Sequence, residues 1–137
     1  MTDAEISDLL LRTRRIALVG ASNKPARPSY QVMEFLLRQG FEVTPVNPGL
    51  AGQEILGRRV VASLDEAAPL DMVDLFRNSA AVEAPVRDAI RLGAKSVWMQ
   101  LGVINEDAAR QAREAGLNVV MDRCPAIEIP RLGITNG

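Results

Sequence analysis

Short apolar runs alternate along the whole chain with segments whose apolar residues recur at helical spacing. RIALVG at 15–20 and DMVDLF at 71–76 are nearly continuous runs, which is typical of strands buried on both faces of a sheet. The pattern predicts helices over 28–39, 81–92 and 105–115, after an amphipathic helix that ends near Thr13. It predicts strands at 15–20, 41–47, 71–76, 96–100 and 117–122, and a shorter one at 57–62.

The residues at the segment ends agree with these helices. Thr2 and Glu5 have the spacing of a capping box, and Asn105 is a favourable N-cap. Gly40 and Gly116 stand where helices commonly end. The alternation of strand and helix therefore predicts an α/β fold, with a doubly wound, mainly parallel sheet of five to six strands and helices on both faces.

The length and the even spread of apolar segments predict one domain. The chain has 137 residues, 47% of them hydrophobic, which is enough for a single sizeable core. No repeat, low-complexity tract or flexible linker divides it. We therefore expect one domain over 1–137, in which 1–13 form an N-terminal helix and 123–137 form a C-terminal segment packed on it.

Charge and cysteine content indicate the setting in which the protein works. Sixteen Lys and Arg against seventeen Asp and Glu give a net charge of -1, so no global basic field attracts nucleic acid or anionic lipid. The amino terminus is acidic, and no apolar run reaches the ~20 residues that span a bilayer. With a single cysteine, the composition predicts a cytoplasmic protein that has neither nucleic acid nor membrane as a partner.

The absence of histidine excludes many catalytic mechanisms. No Ser-His-Asp triad, Cys-His pair, imidazole metal ligand or phosphohistidine relay can form in this chain. Cys124 is the one candidate nucleophile, and a free cysteine is more often buried packing than a reactive group. We therefore predict no catalytic residue, no metal site and no catalysis by this chain on its own.

The loop at 20–30, GASNKPARPSY, is the strongest candidate for a ligand site. It joins the first predicted strand to the first helix of the alternating series, where backbone N–H groups and the helix dipole favour an anion. Lys24 and Arg27 add positive charge to this loop. In a doubly wound sheet, ligands bind beyond the carboxyl ends of the strands where the strand order reverses. Arg77, at the end of the strand at 71–76, is expected to reach a phosphate in that crevice.

A dinucleotide site of the NAD type fits this loop less well. The NAD fingerprint has three glycines, whereas only Gly20 is present here. The second predicted strand is followed by Asn47 and Pro48, where an NAD site presents a carboxylate to the ribose hydroxyls. NAD is therefore disfavoured, while a cationic site for a phosphorylated ribose stays open.

Five segments in this order resemble the CoA-binding protein family, small Rossmann-like proteins similar to the CoA-binding domain of the succinyl-CoA synthetase alpha subunit. The resemblance covers about residues 14–132. In those ligases a histidine in a further domain carries the phosphate, and the resemblance does not extend to that domain. The segments are IALVGASNKPARPSY at 16–30, VNP at 46–48, LFR at 75–77, VWMQLG at 97–102 and MDRC at 121–124.

What the resemblance implies is binding of coenzyme A or an acyl-CoA through phosphate and adenine contacts. Matched motif by motif, residues 20–24 would cradle the pyrophosphate, 47–48 would border the adenosine, and 76–77 with 100–102 would line the rest of the rim. Two alternatives stay open: a sensor of NADP or another nucleotide, and a non-catalytic subunit that completes an acyl-CoA ligase with an unknown protein partner. The cofactor-binding residues predicted in all are Gly20, Ala21, Ser22, Asn23, Lys24, Arg27, Asn47, Pro48, Phe76, Arg77, Gln100 and Gly102.

Overall fold

Five parallel strands form the central sheet in a computed structural model that describes residues 1–134. The strands of the chain are β1 (Arg15–Val19), β2 (Glu42–Val46), β3 (Glu54–Ile55), β4 (Arg58–Arg59), β5 (Met72–Leu75), β6 (Ser96–Met99) and β7 (Asn118–Val120). The helices are α1 (Asp3–Arg12), α2 (Pro28–Arg38), α3 (Leu64–Ala67), α4 (Glu83–Arg91), α5 (Glu106–Glu114) and α6 (Pro125–Arg131).

The order of the main sheet is β2-β1-β5-β6-β7, and β3 pairs with β4 in a separate antiparallel hairpin. Chain order reverses between β1 and β5, which are neighbours in parallel register. Helices cover both faces of the sheet, and the Rossmann-like α/β fold predicted from the sequence is confirmed. The reversal opens a crevice beyond the carboxyl ends of β1 and β5.

Two apolar layers hold the sheet between its helices. Ala17, Val73 and Val97 face the core beneath α3, α4 and α5. Leu18 and Trp98 face the opposite core beneath α1, α2 and α6. Full burial of a large apolar side chain stabilises a fold by roughly 1.5–3 kcal/mol, so these layers fix the sheet and with it the position of the crevice.

Two segments differ from their predicted form, one in its strand pairing and one at the start of a helix. Within the predicted strand at 57–62, only Arg58–Arg59 is extended in the β3-β4 hairpin, and Val61 makes a single parallel bridge to Val46. The predicted helix at 81–92 begins as a 3-10 turn, Ser79–Ala81, before α4. Pro85 lies in the first turn of α4, where a backbone N–H has no partner within the helix.

Ion pairs join the two terminal helices of the described chain. The Arg131 guanidinium of α6 donates to both carboxylate oxygens of Asp3 in α1, at 2.9 and 3.0 Å. Glu128 is buried on α6 and accepts from Arg123 at 2.8 Å and from Arg131 at 3.0 Å. Residues 135–137 of the predicted C-terminal segment lie outside the described residues. No helix within 1–134 is long and apolar enough to cross a membrane.

Candidate functional site

A cavity of about 740 Å³ opens beyond the carboxyl ends of β1, β5 and β6, between the N-termini of α2 and α6. It lies where the reversed strand order places a ligand crevice. Of the predicted residues, those lining it are Gly20, Ala21, Ser22, Lys24, Arg27, Asn47, Phe76, Arg77 and Gln100.

Three predicted residues lie outside this lining. Asn23 is exposed on the loop between β1 and α2. Pro48 borders a second cavity instead. Gly102 is turned toward the loop after β7, because its N–H donates to Asp122 Oδ1 at 2.7 Å.

Other lining residues escaped the sequence reasoning because their role depends on packing. Ser29 and Val32 lie on the first turns of α2, within the segment predicted as a helix at 28–39. Cys124 is 7% exposed and so is buried as predicted, yet it also lines the cavity. Pro28 and Leu101 also line the cavity and lie within the predicted loop at 20–30 and the predicted rim segment at 100–102, whereas Gly49, Leu50 and Val103 were not predicted. Helical spacing does not show which residues of a helix line a crevice and which pack in the core.

The turn after β1 is shaped by Gly20, whose φ of +88° is in the left-handed region. The Gly20 and Ala21 N–H groups both donate to the Val46 carbonyl oxygen, at 3.1 and 3.3 Å. The turn is thus fixed to the end of β2, and the backbone between Gly20 and α2 runs along the cavity.

Asn47 holds the two neighbouring loops together. Its amide nitrogen donates to the Ala21 carbonyl oxygen at 2.8 Å, and its Oδ1 accepts from the Gly49 N–H at 2.8 Å. Both ends of this side chain are therefore used within the protein. An Asp at this position would lose the amide donor, so the requirement for Asn is local and structural.

Three cations surround the cavity without forming ion pairs among residues 1–134: Lys24, Arg27 and Arg77. All three are exposed at the rim. Arg27 also occupies the N-cap position of α2, with no side-chain cap, and Pro28 follows it. The positive end of the α2 dipole and three unneutralised cations together make this rim favourable for phosphate groups.

A buried carboxyl group lies close to the cavity. Asp74, in the middle of β5, is 0% exposed, and burial raises its pKa well above the usual value. One end of the Gln100 side-chain amide lies 2.8 Å from Asp74 Oδ1 and 3.3 Å from Oδ2, within hydrogen-bond distance of the carboxyl group. Gln100 is 5% exposed and lines the cavity.

A second cavity, of about 570 Å³, lies on the α3 and α4 side of the sheet. Pro48, Ser63, Pro85 and Asp88 contribute to its lining. The two cavities share Gly20, Asn47, Gly49 and Arg77. The two cavities therefore adjoin at the end of β1, and we call them the larger and the smaller lobe of one groove.

The described residues contain no group of three or more His, Cys, Asp or Glu side chains that could hold a metal ion. Within 1–134, the polar side chains that line the larger cavity are cations, hydroxyls, amides and one thiol. That chemistry suits binding of phosphates and of uncharged polar groups.

A doubly wound sheet with a basic crevice at its switch point defines the Rossmann-like class of ligand-binding domains. Residues 14–130 match the family model described as a CoA binding domain, and the chain belongs to that family.

The chain has close relatives over nearly its full length. It is 38% identical over 122 residues to the uncharacterized protein YneT of Bacillus subtilis, covering 88% of this chain and 89% of that one. A hypothetical protein from Pyrococcus horikoshii OT3 is 43% identical with a TM-score of 0.92, covering 98% of this chain and 94% of that chain. The family is therefore represented by single-domain proteins of similar size.

A larger protein contains the same fold. A dinucleotide-forming acetyl-coenzyme A synthetase from Ca. Korarchaeum cryptofilum is 24% identical with a TM-score of 0.73. That likeness covers 84% of this chain but 27% of the synthetase chain. It shows a common fold.

Proposed function

We propose that this protein binds coenzyme A or an acyl-CoA and has no catalytic activity of its own. The observation that carries the proposal is the unneutralised basic rim at the switch point of a chain that belongs to the CoA-binding domain family. CoA carries a pyrophosphate and a ribose phosphate, and Lys24, Arg27 and Arg77 are available to both. The α2 N-terminus supplies backbone donors to the same place.

The two-lobed groove supports a ligand with two unlike halves. In our proposal the adenosine occupies the smaller lobe, next to Pro48, and the pantetheine arm occupies the larger lobe. The pyrophosphate then crosses the residues that the two lobes share, where Arg77 supplies charge. Leu101, Val103 and Cys124 give the larger lobe an apolar wall that suits an uncharged arm.

The residues after β2 argue against NAD as the ligand. The chain has no carboxylate at the strand end, and Asn47 is already bonded to Ala21 and Gly49. A ribose 2′,3′-diol would have no acceptor of the kind that NAD sites provide. A phosphorylated ribose does not need a carboxylate acceptor at this position.

The side chains of the chain support the proposed non-catalytic role. The chain contains no histidine, so it cannot carry a phosphohistidine. Its single cysteine is a free thiol, in agreement with a cytoplasmic location, which we also propose. A partner protein would have to supply any acyl-transfer or ligase chemistry.

Two other functions remain as alternatives because the same rim serves them. A sensor of NADP would use the cations for the 2′-phosphate. A non-catalytic subunit of an acyl-CoA ligase would bind CoA and pass it to a histidine-bearing partner. Copurification of such a partner would favour the second alternative.

Titration of ligand-stripped protein with CoA, acetyl-CoA, NAD, NADP and ATP in parallel, by calorimetry and thermal shift, tests the proposal. We expect micromolar binding of the CoA species, on the order of -8 kcal/mol. Saturation at 100 times the dissociation constant should stabilise the fold by about 2.7 kcal/mol, enough to raise the melting midpoint by several degrees. An equal or larger response to NADP, or none to CoA, would contradict it.

A further inference from the structure

Ser29 is a buried residue whose hydroxyl group is not used within the fold. It is 5% exposed and lies on the first turn of α2, where it lines the larger lobe. Among residues 1–134, neither its hydroxyl nor its backbone N–H makes a hydrogen bond to another group. The other serine of this lobe, Ser22, differs because its hydroxyl oxygen accepts from the Lys24 N–H at 3.1 Å. Ser29 therefore offers two hydrogen-bond donors that the protein leaves free.

The Ser29 hydroxyl opens onto the lobe and not into the core. Within the described residues, no side-chain N or O atom that is shut off from solvent in a buried residue lacks a hydrogen-bond partner. Since the Ser29 oxygen has no such partner, it keeps access to solvent, and the space that this residue lines is the larger lobe. A sealed donor without a partner is costly, whereas a donor that faces a cavity is satisfied by water or by a ligand.

The surroundings of Ser29 favour an anion. The helix α2 is 11 residues long, and its first turn contains no acidic residue. The free N–H groups of that turn and the helix dipole place partial positive charge beside the hydroxyl. Arg27, two residues earlier, is exposed and forms no ion pair within 1–134. No carboxylate is among the described residues that line this lobe.

We propose that Ser29 binds the outer phosphate of the CoA pyrophosphate, the one bonded to the pantetheine arm, through its hydroxyl and its backbone N–H. This inference rests on the proposed function, in which the adenosine occupies the smaller lobe. Arg77 lines both lobes, whereas Ser29 lines the larger one and not the smaller one. A pyrophosphate that leads from the smaller lobe into the larger one therefore passes Arg77 with its inner phosphate and reaches Ser29 with its outer phosphate.

Three ligands separate the outer phosphate from the rest of CoA. CoA carries both phosphates of the pyrophosphate and the arm, ADP carries both phosphates without the arm, and AMP carries the inner phosphate alone. Ser29→Ala removes the hydroxyl and keeps the helix, because alanine has the highest helix propensity. Ser96→Ala is the matched control, since Ser96 is 2% exposed and begins β6, at the edge of the sheet opposite the groove.

Calorimetry, with competition against CoA for the weaker ligands, measures the dissociation constants, and thermal unfolding confirms that both variants are folded. We expect Ser29→Ala to weaken the binding of CoA and of ADP about tenfold, because a hydrogen bond to a charged group is lost. The binding of AMP should not change. Ser96→Ala should bind all three ligands as the wild type does.

A loss for CoA with unchanged ADP binding would overturn the inference, since the hydroxyl would then contact the arm. Equal losses for ADP and AMP would overturn it as well, because Ser29 would then act on the inner phosphate. Unchanged CoA binding in Ser29→Ala, or a wild type that binds ADP no more tightly than AMP, would also contradict it. A wild-type protein that binds no CoA would instead refute the proposed function, and this inference with it.

Discussion

Gly20 lies against the backbone of Phe76, so closely that a Cβ on Gly20 would overlap the Phe76 carbonyl oxygen and come within 3.0 Å of the carbonyl carbon. This contact joins the ends of β1 and β5, the two strands between which the chain order reverses. The same residue has a φ of +88°. Two independent constraints thus require glycine at the centre of the groove.

Gly20→Ala should destabilise the protein by about 3 kcal/mol or more, because left-handed strain of about 1–2 kcal/mol is added to overlap with rigid backbone. Gly116→Ala is the matched control, since Gly116 has a φ of +90° but no atom within 4 Å of a new Cβ. Gly116→Ala should lose only the stability that the left-handed strain costs. Urea unfolding of both variants measures the difference. Equal losses would show that Phe76 yields readily to the added methyl group.

Removing charge from the rim should weaken CoA binding without unfolding the protein. Lys24→Ala and Arg77→Ala are each expected to reduce affinity about tenfold, since hydrogen bonds to charged groups are among the stronger ones. Calorimetry at low and high salt measures the effect, and the salt dependence should fall in the double variant. Arg38→Ala, at the far end of α2 and paired with Glu34, is the control. Full CoA affinity in the double variant would contradict the assigned phosphate contacts.

Cys124 should report occupation of the larger lobe. Its thiol is 7% exposed and lines the cavity, so slow alkylation is expected in the free protein. Saturating acetyl-CoA, which has no free thiol to consume the reagent, should slow alkylation further. Mass spectrometry of the modified peptide measures the rate, with NAD at equal ionic strength as the control. An unchanged rate under saturating acetyl-CoA would place Cys124 outside the occupied volume.

Asp74→Asn should stabilise the protein at neutral pH by an amount that shrinks as pH falls. Burial raises the pKa of Asp74 in the folded state, so its contribution to stability is fully present below the unfolded pKa of about 4. Above that value the unfolded chain gives up the proton and the folded chain keeps it. The free energy of unfolding of the wild type therefore falls by about 1.4 kcal/mol per pH unit until the folded pKa is reached.

Denaturant unfolding of the wild type and of Asp74→Asn from pH 4 to pH 8 measures this trend. Asp8→Asn, at an exposed residue, is the control. The stability difference should grow with pH for Asp74→Asn. A difference that stays constant over the range would mean that the folded carboxyl group titrates like an exposed one.

The local pattern of residues was enough to predict the sheet, most of the helices and a loop that lines the larger cavity. The spacing of apolar residues that distinguishes strands from helices depends only on residues close together in the chain. The capping box of Thr2 and Glu5 forms as its spacing predicts. The switch point follows from general rules of parallel sheets once the strands are placed. Motif resemblance then indicated the family, to which the chain belongs.

Other features depend on contacts between residues far apart in the chain, which spacing does not encode. The 57–62 segment forms only a hairpin strand and a bridge, because the end of β2 offers Val61 a single place to pair. Asn47 joins two loops through its hydrogen bonds to Ala21 and Gly49. Asp74 is buried next to Gln100. The apolar strand pattern reveals the sheet, whereas only the packed helices decide which polar groups face the core and which face the groove.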